Sequence, residues 1–142
     1  MITIGRIDKI DLPGMGLENI DAKIDTGART SAIHCHEIYS SEKDGKKVVH
    51  FKLLDPSHPD YNDKEYFFED FHEKRVKSSS GHVEDRFVIK TKIKIFNKVY
   101  TTEFTLTNRK EMTFPILLGR KLLKKRFIVD VSEKNLSFNN KP

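Results

Sequence analysis

The chain has 142 residues, of which 37% are hydrophobic and 33% are charged. This length suits one domain with its own core, so we expect residues 1–142 to form a single domain. The formal net charge of +5 is too modest to indicate a nucleic-acid-binding protein by itself. No apolar run approaches the roughly 20 residues that cross a bilayer. The one cysteine, Cys35, has no partner for an internal disulfide, and we expect a cytoplasmic protein with no membrane partner.

The first half of the chain predicts strands. MITIGRIDKIDL alternates apolar and polar side chains and ends at the turn signal Pro13-Gly14. NIDAKID alternates again up to Asp25, and KKVVHFKLL follows the hairpin-like stretch SEKDGK. The stretch DPSHPDYNDKE is rich in proline and aspartate and predicts an irregular loop.

The second half predicts two hairpins and a short helix. EYFFEDFHEKRVK and VEDRFVIKTKIKIF flank the turn SSSGH, and Asn97-Lys98 is a second turn signal before VYTTEFTLT. GRKLLKKRF predicts the helix, and FIVDVS and the weaker LSF predict closing strands. Many short strands predict a mostly-β domain in which a closed or partly closed barrel protects the sheet edges.

Asp25 carries the strongest chemical signal. It lies where a predicted strand ends, and Thr26, Gly27 and Ala28 follow it. Gly27 permits a tight turn, and the small Ala28 leaves space beside the carboxylate. Aspartic peptidases need a carboxylate fixed in this way, but aspartate is also a common turn residue. The tripeptide alone therefore leaves a purely structural turn open as the alternative.

Four blocks occur in the order IDTGARTSAIH, RVKSSSGHVEDRFVI, FPILLGRKLL and FIVDVS. They resemble a bacterial family labelled ATP-dependent zinc proteases, which includes the RimB-type peptidases associated with the glutamate ligase RimK. The resemblance implies a retropepsin-like acid-protease barrel with a flap hairpin and one short helix. It implies that Asp25 is catalytic and that Thr26, Gly27 and Ala28 support it. It also implies a flap whose tip consists of Ser78, Ser79, Ser80 and Gly81. A further implied segment packs beneath the catalytic loop and consists of Leu117, Leu118 and Gly119.

An aspartic mechanism needs two carboxylates that share one proton. Asp130, in FIVDVS, lacks the small-residue turn and is a poor second partner. We therefore expect a homodimer in which Asp25 of each chain meets its copy across a twofold axis. The residues leave open whether the bond cut is an α-peptide or a side-chain amide.

Four cations are predicted to bind substrate. The flap alignment places Arg75, Lys77 and Arg86 around the tip, and Arg120 follows the Leu-Leu-Gly segment. Cationic side chains can hold carboxylates, and guanidinium groups do so bidentately. The resemblance implies poly-glutamate trimming, so we expect an acidic peptide or protein tail as substrate.

Parts of the sequence are also compatible with three other functions. His34-Cys35-His36 could contribute to a zinc site with His50, His58 or His72, but the chain has no HExxH or CxxC pattern, and we expect no metal and no cofactor. A catalytically silent peptide-binding domain of the same fold remains an alternative. A basic nucleic-acid-binding barrel using GRKLLKKRF is another, although the phenylalanines in EYFFEDF lie among acids rather than basic residues.

Overall fold

The computed structural model describes residues 1–59, 61–77, 81–108 and 114–142. Strands dominate these ranges, which confirms the mostly-β prediction. The strands are β1 (Ile2–Ile4), β2 (Ile7–Leu12), β3 (Leu17–Ile24), β4 (Ser31–Lys43), β5 (Lys46–Leu53), β6 (Glu65–Phe68), β7 (Phe71–Lys77), β8 (Val83–Ile95), β9 (Lys98–Thr107), β10 (Ile116–Leu118) and β11 (Phe127–Val129). The helices are α1 (Arg120–Leu123) and α2 (Leu136–Asn139), and Pro13–Met15 forms a 3-10 turn.

Six strands pair into a ring-like sheet. Its order is β10, β3, β2, β8, β9 and β4, and β4 pairs with β10 to close the ring. β10 is parallel to β3 and antiparallel to β4, and so lies between the two strands that the segment 25–30 connects. The ring confirms the predicted closed or partly closed barrel, and it brings β10 directly beneath that segment.

Other strands extend or flank this ring. β5 and β6 continue the sheet beyond β4, and β7 pairs with β8 to form a hairpin. β1 and β11 form a separate parallel pair. No helix in the part of the chain that the structure describes has the length and apolar composition needed to span a bilayer.

Turn geometry agrees with the sequence signals. Phe96 and Asn97 have φ values of 51° and 59° between β8 and β9, as a type I′ hairpin turn requires. Asp44 and Gly45 have φ values of 54° and 78° between β4 and β5. The two hairpins thus form at SEKDGK and within one residue of the predicted Asn97-Lys98 turn.

The core fills the interior of the ring. β3 alternates because Ile20, Ala22 and Ile24 are buried while Asp21 and Lys23 are exposed. The largest fully buried side chains come mainly from the ring strands; they are Phe51, Phe104, Ile4, Ile10, Leu12, Ile20, Ile33, Leu54, Ile89, Ile93, Ile95 and Ile116.

The prediction that LSF forms a strand is wrong. These residues begin α2, whose first backbone amides bind the buried carboxylate of Asp8. Ser137 N donates to Asp8 Oδ2 at 2.9 Å, and Phe138 N donates to Asp8 Oδ1 at 3.1 Å. A carboxylate from β2, far away in sequence, therefore satisfies the amides of this short helix.

The stretch EYFFEDFHEKRVK is also not one strand. It divides at Glu69-Asp70 into β6, which pairs with β5, and β7, which pairs with β8. The predicted long hairpin consequently consists of β7 and β8 without β6.

Candidate active site

The main chain fixes Asp25 at the end of β3. Asp25 N donates to the carbonyl of Leu118 at 2.9 Å, and Ala28 N donates to the carbonyl of Asp25 at 3.2 Å. Gly27 N donates to Asp25 Oδ1 at 3.0 Å. The half-buried carboxylate is thus held at a tight turn, which is the arrangement that the sequence predicted for Asp25 and its three successors.

The predicted Leu117-Leu118-Gly119 segment lies against this turn. Leu118 is fully buried, Gly119 N donates to Ser31 Oγ at 3.0 Å, and Arg120 N donates to the carbonyl of Ala28 at 2.8 Å. A Cβ atom on Gly119 would lie 2.8 Å from Thr30 C and 2.9 Å from Ala28 O. β10 and α1 therefore approach residues 25–30, the predicted catalytic loop, so closely that no side chain fits at position 119.

A cavity of about 400 Å³ opens beside Asp25. Among the described residues that line it, Asp25 is the single carboxylate, and the cations outnumber it. The lining residues are Asp25, Gly27, Ala28, Arg29, Thr30, Ala32, Lys74, Arg75, Val76, Lys77, Arg86, Thr105, Thr107 and Leu117. The cavity is therefore bounded by residues 25–30, by the ring strands β4, β9 and β10, and by the β7–β8 hairpin.

The tip of this hairpin is only partly described. Ser78, Ser79 and Ser80, which were predicted to form the flap tip, lie outside the described residues. Gly81 is exposed and has a φ of 85°, a left-handed conformation that glycine adopts without strain.

The two faces of the β7–β8 hairpin differ. Lys74 is paired with Arg86, and Arg75 with Asp85. Paired residues share a face, and neighbours on one strand point to opposite faces. Lys74 Nζ donates to Thr30 Oγ1 at 3.0 Å, so the face of Lys74 and Arg86 is turned towards the catalytic loop.

The four predicted substrate-binding cations are consequently not equivalent. Arg75 and Lys77 border the cavity but belong to the opposite face, and the Arg75 side chain is 76% exposed beside Asp85. Arg86 lies on the inner face with its guanidinium paired to Glu84. Arg120 donates from Nη1 to the carbonyl of the exposed Thr26 at 3.0 Å, and so supports the catalytic loop.

Asp130 occupies a different kind of turn. Its carboxylate accepts hydrogen bonds from Ser132 Oγ at 2.6 Å and Ser132 N at 3.0 Å. These two bonds lower the pKa of Asp130 below its ordinary value. The exposed Asp130 thus acts as a local turn residue following β11.

Three of the histidines named as possible zinc ligands have hydrogen-bond partners within the fold. His34 Nε2 lies 2.6 Å from Asp55 Oδ2, and His36 Nδ1 lies 2.7 Å from the carbonyl of Leu54. His50 Nε2 lies 2.7 Å from Ser41 Oγ, across the β4–β5 hairpin. Within residues 1–59, 61–77, 81–108 and 114–142, no three His, Cys, Asp or Glu side chains are grouped as metal ligands.

Sequence reasoning missed Ser31 and Lys74. Ser31 is completely buried under the catalytic loop, where its hydroxyl accepts the Gly119 amide. The sequence prediction names Arg75 and Lys77, the neighbours of Lys74 on β7, and not Lys74 itself. The strand alternation of β7 carries the missing signal, because only every second side chain can face the loop.

The fold and this turn define a retropepsin-like protein, with an Asp-Thr-Gly loop supported by a Leu-Leu-Gly strand. The family model described as "Retropepsin-like aspartic endopeptidase RimB" matches residues 3–140. The chain belongs to this RimB-like family.

The curated relatives that this chain matches are much longer than the chain itself. A probable alpha-L-glutamate ligase from Desulfotalea psychrophila is 38% identical over 131 residues, which cover 89% of this chain and 27% of the relative. A second probable alpha-L-glutamate ligase, from Shewanella halifaxensis, is 34% identical over 134 residues, which cover 92% of this chain and 28% of the relative. The chain thus spans less than a third of the length of these curated relatives.

A solved structure shares the fold over almost the whole chain. It is the crystal structure of a protein of unknown function from Legionella pneumophila, with a TM-score of 0.70 and 29% sequence identity. The match covers 96% of this chain and 98% of the Legionella chain.

Proposed function

We propose that this protein is an aspartic peptidase that hydrolyses peptide or isopeptide bonds. The observation that carries the proposal is the placement of Asp25, whose carboxylate is fixed by the Gly27 amide at the floor of a cavity. The cavity is large enough for several side chains of a bound peptide. The same Asp-Thr-Gly turn without a cavity would support only a structural role.

The reaction needs a second carboxylate, and a second copy of the chain supplies it. Across a twofold axis, Asp25 would meet its own copy, and the two carboxylates would share one proton. One would act as general base on a water molecule while the other protonates the scissile amide. The β7–β8 hairpin would cover the bound peptide and limit solvent access. Neither proton transfer calls for a metal or a cofactor.

Acidic chains are the proposed substrates. Arg29, Lys74 and Arg86 are among the cations around a cavity that holds one described carboxylate, Asp25. The curated relatives are named as probable alpha-L-glutamate ligases, and a hydrolase that removes ligated glutamate would be the chemical counterpart of such a ligase. We propose glutamate-rich tails on proteins as the substrate class and the cytoplasm as the place of action.

The basic segment around α1 gives less support to nucleic-acid binding. Lys121 Nζ forms an ion pair with Glu103 at 2.6 Å, and Arg126 Nη1 donates to the carbonyl of Leu122 at 3.1 Å. Lys121 and Arg126 are thus engaged by the fold itself, whereas phosphate binding uses cations that are free to contact a backbone.

The test is hydrolysis of a peptide with a glutamate tail, followed by mass spectrometry. We expect the wild-type chain to shorten the tail and Asp25→Asn to lose at least about a thousandfold in rate, because the base is removed. Asp130→Asn is the matched control and should retain activity. A folded Asp25→Asn variant that cleaves as fast as wild type would rule out the aspartic mechanism. A wild type that binds the peptide without cleaving it would identify a silent binding domain.

A further inference from the structure

Lys74 holds an unusual position for a lysine. Its side chain is half-buried at the cavity wall, and Nζ donates to the neutral hydroxyl of Thr30 at 3.0 Å. Among the described residues, no carboxylate lies within ion-pair distance of Nζ. Thr30 belongs to the segment that follows Asp25, so the ammonium group is tied to the catalytic loop itself.

The surroundings of Lys74 are positively charged. Burial, and then the charges of Lys121 and Arg29, lower the pKa of Lys74, while Glu103 acts in the opposite direction. Glu103 is already paired with Lys121 at 2.6 Å. Across the hairpin, Arg86 is paired with Glu84. Lys74 is therefore the cation on the inner face that forms no ion pair with an acid among the described residues.

We propose that Lys74, positioned by Thr30, is the residue that binds a substrate carboxylate next to the scissile bond. This inference rests on the proposed peptidase function and names the specificity residue of that same cavity. An ammonium group that has lost part of its hydration is stabilised most by an anion that takes the place of the lost water. A carboxylate of the bound chain, held in a cavity whose floor carries Asp25, supplies that charge.

The proposal assigns different roles to neighbouring cations. Lys74 faces the catalytic loop and makes a short-range, charge-assisted hydrogen bond to the substrate. Arg75 and Lys77, on the outer face, contribute long-range attraction that salt screens. Specificity at the position next to the cleaved bond then depends on Lys74.

The experiment measures binding separately from cleavage. Asp25→Asn protein is titrated with two fluorescent peptides of equal length, one with a hexaglutamate tail and one with a hexaglutamine tail. Adding Lys74→Met should weaken binding of the glutamate peptide about tenfold, the effect of losing one charge-assisted hydrogen bond. Binding of the glutamine peptide should be unchanged. Lys74→Arg, which keeps the charge, should restore most of the glutamate affinity.

The charge-matched control is Lys92→Met on β8. Lys92 is exposed and lies away from the cavity, so its loss should change either affinity less than about twofold. Circular dichroism of each variant checks the fold.

Two results would overturn the role of Lys74. Equal weakening for both peptides would indicate a structural effect on the cavity, and unchanged glutamate affinity would remove Lys74 from substrate recognition. Cleavage by the wild type is measured in parallel. Selective binding that depends on Lys74 without cleavage would refute the peptidase proposal alone, and cleavage with no Lys74 dependence would refute this inference alone.

Discussion

At the scale of single residues, Asp55 is a carboxylate with a clear thermodynamic role. It accepts hydrogen bonds from the hydroxyl and the amide of Ser57, and lies 2.6 Å from Nε2 of the buried His34. Ser57, first through its hydroxyl and then through its amide, and next His34, lower the pKa of Asp55 from 3.8 to about 2. All of these contacts favour the ionised form in the folded protein.

The depressed pKa of Asp55 predicts a loss of stability in acid. Because the unfolded chain binds the proton more tightly, the contribution of Asp55 is complete above about pH 4 and declines as the pH falls towards about 2. We expect the free energy of unfolding, measured by urea denaturation between pH 2 and pH 5, to fall more steeply for wild type than for Asp55→Asn. Asp70→Asn removes an exposed carboxylate and serves as the control. Parallel curves for wild type and Asp55→Asn would contradict the assignment.

At the scale of elements, the proposed catalytic loop depends on the close approach of β10 and α1. The amides of Arg120 and Lys121 donate to the carbonyls of Ala28 and Arg29 at 2.8 and 2.9 Å. Gly119 makes this contact possible, because an added Cβ would lie within 3.0 Å of backbone atoms of the loop. These contacts hold the loop that carries Asp25 against β10 and α1.

Gly119→Ala should damage both stability and activity. The new methyl group would force the loop away from β10, and overpacking of this kind costs typically about 1–3 kcal/mol. We expect a lower unfolding midpoint together with a loss of peptide cleavage greater than the unfolded fraction explains. Gly14→Ala is the control, since its Cβ would meet only Thr91 Oγ1 at 3.4 Å. A Gly119→Ala variant that matches Gly14→Ala in both measurements would show that the contact is not needed.

The limits of sequence reasoning are also visible at this scale. In the first half of the chain, β3, β5 and the turn at Asp44-Gly45 could be predicted because alternation and turn residues are local signals. The long strand β4 was not predicted, and the stretch MITIGRIDKIDL divides into β1 and β2 instead of forming one strand. LSF could not be assigned, since its conformation depends on the distant carboxylate of Asp8. The inner position of Lys74 could not be predicted either, because charge alone does not say which face of β7 meets the loop.

At the scale of the whole molecule, the site depends on contacts between distant segments. β10 pairs with β3 and β4 although about ninety residues separate it from Ala22, so no local pattern predicts that it lies beneath Asp25. The order of the four sequence blocks did predict the architecture, through their resemblance to a family. The Asp25 turn was predictable from Gly27 and Ala28 as well as from that resemblance, whereas the buried Ser31 beneath it was not.

The last prediction concerns the number of chains that one active site needs. If Asp25 from two chains forms the site, wild-type protein mixed to exchange equilibrium with an equal amount of Asp25→Asn should keep only about a quarter of its activity, because only pairs of wild-type chains are complete. The reference is wild-type protein alone, at a concentration equal to the total protein concentration of the mixture. Independent monomers would keep about half. Peptide cleavage is measured after exchange, with sedimentation at the same concentration to establish the dimer. A residual activity of half in a mixture that sediments as monomer would exclude the shared site and require a second acid from the same chain.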